Sequence, residues 1–198
     1  VERALENLRK YPLEERLHLE KICHDELSDL YMLCKDKRAE EQIGQCIDLH
    51  RKWLAMDDRF ERPHRDTTGY MMRAYAKMVY LRDLISRDKL NEYYQKCIGL
   101  ARARGDMAEI YSTSARYYQC TGDYERAVAY IDSTITAYKS KGIKADLAPI
   151  YATQSYLYEK MGDYKNALKA VRTTNNIRFN ERVEEAQSSL AEMQTLFE

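Results

Sequence analysis

The chain has 198 residues, 44% hydrophobic and 32% charged, enough to bury a continuous core and too apolar for a disordered polymer. Its 32 lysines and arginines are balanced by 32 aspartates and glutamates, which removes the basic field that non-specific nucleic-acid binding relies on. Seven glycines and three prolines are too few for an all-β chain or a phosphate-cradling loop, and no apolar run nears the ~20 residues of a bilayer crossing.

Helices are therefore expected, and hydrophobic periodicity places them in chain order. Pro12 suits a helix start. Leu13 to about Leu33 and Lys37 to about Met56 form a first helical hairpin within residues 1–60, with Leu27, Leu30, Tyr31 and Cys34 on one apolar stripe. The second stripe carries Ala39, Ile43, Cys46, Ile47, His50, Trp53 and Leu54. The charged stretch Asp57 to Asp66, containing Pro63, is the expected linker.

Residues 67–105 form a degenerate repeat, with Met72, Tyr75, Ala76 and Val79 on its first helix and Leu90, Tyr94, Ile98 and Ala101 on its second. Arg82 to Asp88 stands where the later repeats have a Gly-Asp turn. Residues 106–142 and 145–179 are two closer copies, matched at Gly122-Asp123-Tyr124 and Gly162-Asp163-Tyr164 with an offset of 40 residues. Upstream, Ala108, Tyr111, Ala115 and Tyr118 correspond to Ala148, Tyr151, Ser155 and Tyr158 at helical spacing.

Each copy reads as helix, turn, helix. Glycine ends the first helix by accepting a left-handed backbone, and the following aspartate caps the free amides of the second. Small residues, Ala115 or Ser155 against Ala127 or Ala167, permit a close crossing of the two helices.

The last segment, residues 180–198, places Val183, Ala186, Leu190, Met193 and Phe197 at the alternating spacing of a coiled-coil seam. It is expected either to pair, as a homodimer of two copies, or to cap the apolar end of the last repeat. The start at Val1 and the end at Phe197-Glu198 in mid-pattern lead us to expect a segment of a longer chain.

No motif carries chemistry. A nucleophile elbow is absent, and the four histidines have no ligand partner one helical turn away, so neither an enzyme, a metal site nor a cofactor is expected. The five cysteines lack a C-x-x-C pair and are expected as reduced core thiols. The 17 tyrosines are expected to fill gaps between helices.

The turn and its flanking small and tyrosine positions resemble the tetratricopeptide repeat, whose common period is about 34 residues. The resemblance implies an all-α, right-handed superhelix of antiparallel helical hairpins with a long C-terminal helix. It further implies a concave wall, lined by the first helix of each repeat, that binds an extended peptide or protein partner. On that wall fall Tyr70, Arg73, Lys77 and Tyr80, then Ser112, Arg116 and Gln119, then Ala152, Tyr156 and Glu159. Arg73, Lys77 and Arg116 give it a basic entrance suited to an acidic or carboxylate-bearing peptide.

With its terminal helix, the chain is similar to the sensor regions of bacterial two-component regulators, in which such repeats lead through a connecting helix to a membrane span and a histidine kinase or other output. That resemblance implies a periplasmic, protein-binding sensor region relaying a signal through residues 180–198. The alternative is a cytoplasmic scaffold in which the repeats assemble a complex.

Overall fold

The computed structural model describes residues 3, 7–11, 13–60, 67–81, 83–142 and 147–197. Among them every regular element is helical and none is a strand. A 3-10 turn, Leu8–Lys10, precedes α1 (Leu13–Leu33), α2 (Arg38–Phe60), α3 (Thr67–Val79), α4 (Arg87–Arg104), α5 (Met107–Thr121), α6 (Tyr124–Ser140), α7 (Leu147–Lys160) and α8 (Tyr164–Phe197). The chain divides into two compact units, Val1–Cys120 and Thr121–Glu198, and the division falls inside the expected repeat 106–142.

In the first unit α1 packs on α2, α2 on α3 and α3 on α4. The α1–α2 turn is tight because Lys35 takes a left-handed backbone, φ 53°. The Asp36 amide then donates to the Tyr31 carbonyl at 2.8 Å, and the Asp36 carboxylate accepts the Arg38 amide at 2.9 Å to start α2. The Arg38 side chain and amide hold the Asp36 carboxyl below the usual carboxylate range.

Helix α2 buries Ala39, Ile43 and Ile47, spaced four apart, against Met72, Tyr75 and Met78 of α3 and Cys97 and Ala101 of α4. Ser86 starts α4 by accepting the Lys89 amide at 3.3 Å, and Gly105, at φ 68°, ends it. The Ser86 cap stands where the later hairpins have the aspartate of their Gly-Asp turn. Pro12 and residues 61–66, including Pro63 of the expected linker, lie outside the described residues, as do Arg82 and the side chains of Trp53, Leu54 and Phe197.

In the second unit α6 packs on α7 and α7 on α8. Both Gly-Asp turns have the anticipated geometry: Gly122 at φ 85° with Asp123 accepting the Arg126 amide at 3.1 Å, and Gly162 at φ 77° with Asp163 accepting the Asn166 amide at 3.1 Å. The Asp163 amide donates to Tyr158 and the Gly162 amide to Glu159, closing the end of α7 with both bonds of a Schellman motif. Where α7 crosses α8, the buried Ser155 hydroxyl donates to the Ala167 carbonyl at 3.1 Å, a contact that only small residues allow.

Helix α8 has 34 residues against 14 in α7. Ala167, Ala170 and Thr174 are buried along its first half, whereas residues 182–194 are exposed throughout. No new helix begins at Asn180, and the expected seam is the second half of one long helix whose described end does not fold back as a cap.

Candidate functional site

The proposed wall residues of the first unit come from α3, its C-terminal turn and α5. These elements are pinned together by the buried face of α4: the Cys97 thiol, fully buried, lies 3.5 Å from both the Met72 carbonyl of α3 and the Thr113 hydroxyl of α5. The Cys120 thiol donates to the Val79 carbonyl at 3.5 Å and ties the end of α5 to the end of α3. Burial pushes the Cys97 and Cys46 thiols up to about 12, so both are unreactive. Cys34 departs from the expected core placement and is exposed, because it follows the end of α1 rather than lying within the helix.

Two cation–tyrosine sets occupy this surface. At one end of α3 the Arg73 guanidinium lies 4.6 Å, and the Lys21 ammonium 4.3 Å, from the centre of the Tyr70 ring. The same ring stacks on the buried His50 imidazole, with centroids 5.0 Å apart and planes at 8°. At the other end Arg116 of α5 lies 4.0 Å from the centre of the half-exposed Tyr80 ring and donates to Gln119 Oε1 at 3.0 Å. A guanidinium held over a ring keeps hydrogen-bond donors at its edge.

Lys77 behaves differently from its neighbours. Its ammonium bonds Asp25 at 2.7 Å and Asp29 at 2.9 Å, both on α1. Burial alone lowers the ammonium's proton affinity, but the two aspartates outweigh it and hold the group charged above the usual lysine range. Lys77 thus neutralises α1 and fastens α3 to it, leaving Arg73 and Arg116 as the cations of the expected entrance. The Ser112 hydroxyl is turned back onto its own helix, donating to the Glu109 carbonyl at 3.2 Å.

Beside Tyr80 a cleft of about 450 Å³ opens between the end of α1 and the α3–α4 turn, lined by Asp29, Met32, Leu33, Leu81 and Leu84. Leu33 is 82% exposed at its rim. Sequence periodicity gave no warning of this cleft, since α1 and the turn lie some fifty residues apart in the chain.

Beneath the surface, burial raises the Glu109 carboxyl above its usual range while the Thr113 hydroxyl, donating at 2.6 Å, partly offsets it. Tyr156 and Glu159 belong to the second unit. The Lys160 ammonium lies 5.4 Å from the centre of the Tyr156 ring, and Glu159 is exposed on the last turn of α7.

No described helix is long and apolar enough to cross a membrane, and no group of three potential metal ligands occurs among the described residues. No family model matches this chain, and no curated protein matches it. Among solved structures, the crystal structure of BtubC (BKLC) from P. vanneervenii is similar over 87% of this chain and 93% of that chain, at 15% identity and a TM-score of 0.39. A likeness at that level carries no conclusion about fold family or function.

Proposed function

We propose that the chain is a tetratricopeptide-like, protein-binding sensor region of a bacterial signal-transduction protein, which takes an acidic or carboxylate-bearing peptide on the α3–α5 surface and reports it through α8. The observation that carries the reading is the coexistence of two cation–tyrosine sets, around Tyr70 and around Tyr80, with a terminal helix that outruns its packing partner by 20 residues. A binding surface and an unpacked helix are the two parts a relay requires. Two conformations of different affinity for the peptide complete it.

The Gly122-Asp123 and Gly162-Asp163 turns support the repeat reading at the level of local geometry. Support for the peptide class comes from Arg73 and Arg116, whose guanidinium edges suit bidentate hydrogen bonding to carboxylates. The test is a fluorescence titration with an array of acidic peptides ending in a free carboxylate. Saturable binding that falls at least tenfold in Arg116→Ala is the expected result; binding that ignores Arg73→Ala and Arg116→Ala alike, or none across the array, removes the reading.

A second reading, a cytoplasmic scaffold in which the repeats assemble a complex and α8 only caps them, draws on the burial of Ala167, Ala170 and Thr174 along the first half of α8. It shares the binding surface and differs in what α8 does.

A further inference from the structure

Lys21 of α1 and Arg73 of α3 converge on the Tyr70 ring, and neither head group makes a hydrogen bond or an ion pair among the described residues. The carboxylates around them are engaged elsewhere. Asp25, one helical turn from Lys21, and Asp29 both bond the Lys77 ammonium. Glu20 bonds Arg16 at 3.1 Å. Glu109 of α5, whose carboxyl feels the Arg73 charge, accepts the Thr113 hydroxyl at 2.6 Å. At 4.3 and 4.6 Å from the ring centre, the two charges are at most about 9 Å apart, inside the ~10 Å Debye length of 0.1 M salt.

Like charges held at that range repel, yet the ring on which they rest is anchored in the core. Tyr70 is 37% exposed and stacks on His50, which is 2% exposed, while Arg73 faces solvent. The imidazole registers the positive field: burial first, then Lys21 and, more weakly, Arg73 lower it to about 4, with Asp25 opposing them. Tyr70 also stands in the first turn of α3, which has no acidic residue to offset the positive end of the helix dipole. The far end of α3 differs. There Arg116 is a single cation, and it bonds Gln119. One end thus matches a single negative charge and the other a double one.

We propose that Lys21, Arg73 and Tyr70 form a site for a phosphomonoester dianion, a phosphorylated side chain of the peptide that the α3–α5 surface takes. A phosphoryl group brings a charge of about −1.5 to −2 at pH 7 and three acceptor oxygens, which two converging cations neutralise together. A carboxylate brings one charge and satisfies one of them. Arg73 supplies paired donors and Lys21 a point charge from a second helix. Tyr70 and Tyr80 are ten residues apart, about 15 Å along a helix, which four or five residues of extended peptide span. The phosphorylated residue therefore lies about four or five residues from the carboxylate that meets Arg116. This site rests on the reading of the α3–α5 surface as a peptide-binding one, and it names the chemistry of one of its two ends.

The test is a fluorescence titration of the full chain with one acidic peptide that ends in a free carboxylate. It is made in three forms, with serine, two adjacent glutamates or phosphoserine about four residues before its end. The phosphoserine form is expected to bind roughly tenfold more tightly than the serine form. It should also outbind the glutamate pair, which spreads the same charge over two side chains. Lys21→Gln removes that preference and leaves the affinity for the serine form unchanged, whereas Arg116→Ala weakens all three forms and keeps the preference. In the unaltered chain, inorganic phosphate displaces the phosphoserine form and sodium chloride of equal ionic strength does not. Equal binding of the phosphoserine and glutamate forms, a preference that survives both Lys21→Gln and Arg73→Gln, or phosphate that competes no better than chloride overturns the site and leaves acidic-peptide binding in place. Failure of all three forms to bind removes the proposed function and this site together. The melting temperature of each variant verifies that the first unit is intact, and competition by phosphate needs no variant.

Discussion

The guanidinium of Arg116 lies 4.0 Å from the centre of the Tyr80 ring, bringing α5 onto the turn that ends α3. Tyr80 is half-exposed and Arg116 partly so, which limits what the pair contributes to folding. Tyr80→Ala should cost about 0.5–1 kcal/mol of stability and weaken binding of the acidic peptide to the same degree as Arg116→Ala. Small shifts of the denaturation midpoint with equal binding losses in the two variants are the expected pattern; a large loss of stability places the pair in the core instead.

Glycines at two positions should respond in opposite directions to alanine. Gly162 has φ 77°, where a Cβ is strained, so Gly162→Ala should destabilise by about 1–2 kcal/mol. Gly99 is exposed within α4, with open space where a side chain would begin, so Gly99→Ala should stabilise by about 0.5–1 kcal/mol. Urea denaturation of the two variants checks both signs at once.

The α7–α8 crossing depends on size. Ser155 is 8% exposed and donates across the interface to the Ala167 carbonyl. Ser155→Ala should cost about 1 kcal/mol for the lost bond, and Ser155→Leu about 1–3 kcal/mol for overpacking. Equal melting of the two variants argues that the helices do not meet there.

His50 makes the first unit sensitive to acid. Burial first, and then the nearby Lys21 and Arg73 cations, lower its imidazole to about 4 from an ordinary 6.5, with Asp25 acting the other way. The unfolded chain takes up a proton below about 6.5 that the folded chain refuses until about 4. Stability is therefore fully present above pH 6.5 and is lost as pH falls through that window, by at most about 3 kcal/mol. Glu109, whose carboxyl is raised, contributes in the opposite sense. His50→Phe should flatten the fall in melting temperature between pH 6.5 and 4; an unchanged slope assigns the acid response to other groups.

Much of the fold was legible because its signals are local. The ends of α1, the apolar stripe Ala39, Ile43 and Ile47 of α2, and the Gly122-Asp123 and Gly162-Asp163 turns depend on neighbours within one or two helical turns. A third Gly-Asp, at 105–106, was overlooked since it lies between hairpins, yet its Asp106 caps α5 by accepting the Glu109 amide at 3.2 Å. The candidate site was less legible. The repeat resemblance placed Lys77 on the binding wall but could not reveal that Asp25 and Asp29, far upstream in the chain, neutralise it. The seam from Val183 to Met193 was visible as spacing.

Coupling between the α3–α5 surface and α8 is the central claim, and hydrogen exchange with mass spectrometry tests it most directly. Exchange in residues 180–194 is compared in the full chain with and without a saturating acidic peptide, alongside Arg116→Ala as the control that does not bind. The account predicts altered protection in α8 together with new protection around Tyr70 and Tyr80, both absent in Arg116→Ala. Protection confined to α3 and α5, with α8 exchanging identically in both states, contradicts it.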